Sequence, residues 1–166
     1  MTLRRTIGKV LGRFRSPAAR TRAWEGDFHC GVAALREGKP AEAEAAYARA
    51  LEEAEGFPPG DVRLTVTLDN LAGVLRLEGK YAHAEPLCRR TLAIKERIFG
   101  PDSPNVASTL KDLSEIHRAL GDDVHASAYH RQALAILEKA IGPDLAELEE
   151  SLRKSPVLGD DVDQGR

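Results

Sequence analysis

Aromatic residues are scarce, at 5% of 166 positions with a single tryptophan. That shortage excludes a core built on large rings, so aliphatic side chains and close helix contacts through alanine must do the packing. Cysteine is almost missing: Cys30 and Cys88 allow one bridge at most. A disulfide framework is therefore ruled out, and the reading is a reducing, cytoplasmic setting. No run of 18 apolar residues occurs, so no transmembrane helix is expected. The first residues lack the unbroken apolar stretch and small-residue cleavage site of a secretory signal. Basic excess is missing too. The net charge is −2, which argues against a nucleic-acid partner.

The charge that is present is uneven. Residues 1–22 carry Arg4, Arg5, Lys9, Arg13, Arg15, Arg20 and Arg22 without one acid, leaving 17 basic against 26 acidic residues for the rest. Such a basic arm on an acidic body reads as an interaction tail. Within it Leu3, Ile7, Val10, Leu11 and Phe14 recur at helical spacing. Three readings stay open for residues 1–15: peripheral contact with an anionic membrane, packing on the first repeat, or disorder until a partner arrives.

Self-similarity dominates the remainder. GKPAEAEAAYARAL from Gly38, GKYAHAEPLCRRTL from Gly79 and GDDVHASAYHRQAL from Gly121 align without gaps, with glycines 41 and 42 residues apart. Ala43, Ala84 and Ala126 share one register, as do Leu51, Leu92 and Leu134. Upstream of Gly79, Leu64, Leu68, Leu71, Ala72 and Leu75 form an apolar helix stripe. Ala107, Leu110, Leu113, Ser114 and His117 fill the matching places upstream of Gly121. Trp24, Asp27, Cys30, Gly31 and Ala34 do so, degraded, in the first unit. A degraded end unit is expected where one face has no neighbour.

This pattern predicts seven helices, over about 23–37, 40–55, 61–77, 80–99, 104–119, 122–141 and 144–154. Asp61 and Ser103 are candidate N-caps, with Pro104 at a first helical position. Gly56, Gly100 and Gly142 should stop helices in a left-handed conformation. The expected organisation is an N-terminal arm over 1–22, repeats over 23–60, 61–102 and 103–142, a capping helix over 143–154, and a disordered acidic tail over 155–166.

The small residues Ala72, Ala84 and Ala126, with Leu71, Tyr47, Ala50 and Ala133, resemble the tetratricopeptide-repeat (TPR) signature. The longer period, and the run TLDNLAGVLRLEGKYAHAEPLCRRTLAIKERIFGPDSPNVASTL, resemble its kinesin-light-chain-like subclass over roughly residues 24–142. The resemblance implies an all-α right-handed superhelix, a TPR solenoid of three helix pairs plus a capping helix. It also implies that the first helix of each pair lines a concave groove for peptides or helices. Where carboxylate-clamping members place an asparagine, this chain has Val32, Gly73 and Glu115, which argues against capture of chaperone tails.

The face opposite the apolar stripe supplies candidate groove residues: Phe28 and Val32 for an apolar anchor, and Asp69, Asn70, Arg76, Lys111, Glu115 and Arg118 for specificity. Arg76 and Arg118 could grip ligand carboxylates bidentately. A merely solvated helix face is the competing reading for each of them.

Chemistry is poorly supported. His125 and His130 are five apart, not at the three- or four-residue spacing of a helical metal pair. His117 and His130 fall in core slots, as do Cys30 and Cys88, where a thiol is inert. No nucleophile elbow or phosphate-cradling loop occurs. The sequence reads as a non-enzyme without cofactor or metal. The expected role is an adaptor or scaffold that binds a protein or peptide in the concave groove. The alternative is a self-assembling repeat protein whose poorly polar first end carries Trp24, Phe28 and Cys30.

Overall fold

The computed structural model describes residues 15–154, which form six α-helices and no strand. They are α1 (Pro17–Arg36), α2 (Pro40–Ala54), α3 (Val62–Leu77), α4 (Tyr81–Phe99), α5 (Pro104–Ala119) and α6 (Asp123–Lys154). Each packs against its neighbours in sequence, giving three antiparallel pairs stacked in a row. None of the helices among the described residues is long and apolar enough to cross a membrane. The apolar pattern of residues 1–14 and the tail over 155–166 lie outside the described residues.

The recurring glycine explains the turn inside each pair. Gly38, Gly79 and Gly121 take φ of +70°, +71° and +79°, a conformation cheap only without a Cβ. Each allows the same two bonds: Gly38 N–H donates to Leu35 O, and Lys39 N–H reaches back to Ala34 O. The same pairs recur as Gly79 to Arg76 with Lys80 to Leu75, and as Gly121 to Arg118 with Asp122 to His117. These bonds satisfy the carbonyls that a helix end leaves open. Asp61 and Ser103 cap α3 and α5 as expected, accepting from Arg63 N and Asn105 N.

The core follows the repeat register. Ala43, Ala84 and Ala126 are buried, letting backbones approach closely. Gly31, Ala72 and Ser114 share another slot; a Cβ on Gly31 would stand 2.7 Å from the Tyr47 ring. The buried Ser114 hydroxyl donates to Ala126 O at 2.8 Å, tying α5 to α6.

Four expectations need correction. First, α1 begins at Pro17, capped by Ser16, so residues 17–22 are helix rather than arm. Arg15 pairs with Glu53 at 2.5 Å, and Arg20 donates to Gly56 O. Second, Gly56 has no positive φ; α2 ends at Ala54 without a left-handed residue, and Gly60, at +89°, lies in the turn before α3. Third, Gly142 does not stop the last helix. α6 continues through Pro143 to Lys154, so no separate capping helix folds back.

The fourth correction follows partly from the third. Tyr47, Cys88 and His130 share a repeat slot, and the next pair buries the first two. With no helix among the described residues folded over it, His130 is exposed rather than in the core. Cys30 is exposed at the other end, because among the described residues no pair precedes α1. Its equivalents Leu71 and Leu113 are buried.

Candidate functional site

The first helices α1, α3 and α5 flank an open cavity of about 540 Å³. Leu35 of α1 and Tyr81 of α4 border it, α3 contributes Asp69, Asn70, Gly73, Val74, Arg76 and Leu77, and Glu115 of α5 closes it. One wall is apolar. The other carries charges held by neighbours rather than left free.

Arg76 is the centre of that wall. Its guanidinium donates to both Asp112 Oδ1 and Glu115 Oε2, bridging α3 and α5. Asp69 pairs at 2.7 Å with Lys95, which reaches in from α4 and is only 9% exposed. Lys95 also donates to Thr109 Oγ1 at 2.9 Å. Burial pushes the Asp112 carboxyl above its ordinary pKa despite the opposing pull of Arg76. Asn70 Nδ2 donates to Val66 O at 2.8 Å, folding back on its own helix. Three carboxylates thus share two cations.

Of the eight candidate residues, the structure brings Asp69, Asn70, Arg76 and Glu115 to this cavity. Lys111 and Arg118 are exposed on α5, with no ion pair among the described residues, and do not line it. Phe28 and Val32 pack against the core. Phe28 stacks on Trp24 with ring centroids 5.0 Å apart and meets Tyr47 edge-on at 5.4 Å. Trp24 Nε1 donates to Thr67 Oγ1 at 2.8 Å. These two aromatics are therefore used internally, between α1, α2 and α3, not displayed at the first end.

Gly73 is the unusual lining residue. It sits inside α3, where glycine costs about 1 kcal/mol relative to alanine. Nothing lies within 4 Å of where its Cβ would be. Lys95 was not legible as a groove neighbour, because its helix register places it in a core slot.

Comparison with known proteins agrees with this architecture. A family model described as tetratricopeptide repeat matches residues 63–139. Residues 63–139 therefore match the tetratricopeptide repeat. Among solved structures it is similar to the TPR domain of Arabidopsis FLU, with 22% identity, a TM-score of 0.64, and coverage of 72% of this chain and 98% of that one. It is also similar to the N-terminal domain of stress-induced protein-1 from C. elegans, with 19% identity, a TM-score of 0.59, and coverage of 82% and 98%. At these identities the likeness shows the fold. No curated protein matches the sequence. TPR arrays serve protein–protein interaction in general, and the groove lies where first helices of such an array converge.

A second convergence lies at the α5–α6 turn, where His117, Asp122 and His125 meet. Spacing along a single helix misses it, because the turn at Gly121 separates the two histidines.

Proposed function

We propose that this TPR protein is an adaptor or scaffold that holds a segment of another protein in the groove over α3. The observation that carries the reading is Gly73. Glycine there costs helix stability and relieves no clash, so its open space is most simply explained by a guest chain passing close to α3. Leu35, Leu77 and Tyr81 offer an apolar seat for one guest side chain. The charged wall is short of positive charge, which favours a lysine or arginine on the guest over a carboxylate. Arg76 then acts as a strut for Asp112 and Glu115. Arg118 and Lys111, at the rim, steer acidic flanks of the guest. The setting is cytoplasmic, in keeping with the two unbridged thiols.

Affinity capture from the native cell with wild type and with Gly73→Leu tests this. No atom lies within 4 Å of the new Cβ, so the variant should keep the wild-type circular dichroism spectrum while losing the captured proteins. An unchanged set of captured proteins from the folded variant refutes the groove.

A further inference from the structure

His117 Nδ1 lies 3.1 Å from Asp122 Oδ2, and His125 Nδ1 lies 2.7 Å from the same oxygen. All three donor atoms fall within 4.8 Å of one another. The other Asp122 oxygen accepts the His125 backbone N–H at 3.1 Å, which fixes the carboxylate. His117 is 5% exposed. Among the described residues its Nε2 makes no hydrogen bond; it stands 3.4 Å from Glu85 Oε1, which also pairs with Arg89 at 2.9 Å. Each nitrogen of a buried imidazole thus faces a carboxylate. A neutral ring has one N–H and one lone pair, so satisfying both takes either a second ring proton or a metal cation at one nitrogen. A cation between Nδ1 and Asp122 removes the conflict and frees the remaining N–H for Glu85. Metal-bound histidines are held in this way, by a carboxylate on the second nitrogen.

We propose that His117, Asp122 and His125 bind a divalent transition metal of the zinc class, with Glu85 as the residue that positions the His117 ring. Donors about 2.1 Å from a tetrahedral metal are about 3.4 Å apart. The separations of 3.1 and 2.7 Å are shorter than this, and rotation of the His125 side chain, 60% exposed, opens them. The same exposure leaves a fourth position open to water. Two imidazoles and one carboxylate suit zinc, cobalt or nickel better than calcium or magnesium. The metal would clip the end of α5 to the start of α6. This site is independent of the groove.

Titration of the full chain with Co²⁺, followed by its ligand-field absorption and by displacement with Zn²⁺, tests the proposal. Wild type should bind one equivalent. Its melting temperature should rise by about 5–11 °C at a zinc concentration 100-fold above the dissociation constant. His125→Ala, at an exposed position, should abolish the bands while leaving the fold intact. Glu85→Gln should weaken binding about 10- to 100-fold. His130→Ala, away from the cluster, should bind as wild type. Absence of bands and of a zinc-dependent melting shift up to millimolar metal overturns the proposal. So does His125→Ala binding as tightly as wild type.

Discussion

The same substitution, glycine to alanine, should have opposite effects at two glycines one repeat apart. Gly31 and Gly73 both lie inside first helices, and both should gain up to about 1 kcal/mol in helix propensity when a methyl is added. At Gly73 nothing opposes that gain, since no atom lies within 4 Å of the new Cβ. At Gly31 the methyl would stand 2.7, 2.8 and 2.9 Å from three atoms of the Tyr47 ring. Carbon atoms in contact prefer about 3.5–4.0 Å. Tyr47 is fully buried, with Phe28 against it, and has no room to yield. Overpacking of this kind costs about 1–3 kcal/mol, which outweighs the propensity gain.

Gly73→Ala should therefore melt about 2–4 °C above wild type and Gly31→Ala several degrees below it. Thermal denaturation followed by circular dichroism reads both. Gly26→Ala, also with open space at the new methyl, supplies the propensity gain away from the groove. If Gly31→Ala is as stable as Gly73→Ala, the close approach of α1 to Tyr47 is wrong. If Gly73→Ala is destabilised, the space above α3 is filled by the protein itself and the groove argument fails with it.

Alkylation at pH 8 should modify one cysteine in the folded protein and two after denaturation. Cys30 is exposed, whereas Cys88 is buried with its thiol pushed up to about 12; two rapid equivalents in the native state would refute this. Tyr47→Phe should leave stability unchanged or raise it by up to about 1 kcal/mol, because the buried hydroxyl has no hydrogen-bond partner in the structure; a loss above that in urea denaturation would mean the hydroxyl is satisfied. Asp61→Ala should cost about 1–2 kcal/mol through loss of the α3 cap. The guanidinium of Arg63 and its backbone N–H hold the Asp61 carboxyl below its ordinary pKa, so its contribution is complete at neutral pH and is lost on acidification below about pH 4. Asp61→Asn should keep the cap and lose that acid dependence, which a pH series of melting temperatures would detect.

Much of the fold could be read from repetition. Gly38, Gly79 and Gly121 marked three turns because one backbone conformation is needed three times, and Ala43, Ala84 and Ala126 marked three contacts too close for larger residues. What failed were the ends. Cys30 and His130 occupy slots whose equivalents are buried, and no property of the residue itself reports whether another pair will cover it. Gly142-Pro143 looked like a stop. Yet glycine can also continue a helix, and a proline that removes one donor and crowds the carbonyl four residues back can bend a helix without ending it. Helix phase put Asp69, Asn70, Arg76 and Glu115 on the face opposite the apolar stripe, and the resemblance to TPR proteins named that face the groove. The pairing of Arg76 with Asp112 and Glu115 was not legible, because it joins helices 36 and 39 residues apart.

That pairing changes what the groove can recognise. A free arginine on a concave face would invite a carboxylate, with two parallel bonds available. Here both directions of the fork already point at carboxylates of α5, and drawing Arg76 towards a guest would strand Asp112, which is partly desolvated. An uncompensated charge in such a place costs more than an exposed guest contact supplies. If a guest occupies the groove as proposed, its selection therefore rests on shape at Gly73, the apolar seat of Leu35, Leu77 and Tyr81, and a surplus of negative charge. Arg76→Gln separates the two views. If the arginine is a strut, the variant should lose about 1–3 kcal/mol of stability and retain the captured partners at permissive temperature. If it is a clamp, binding should fall while stability holds.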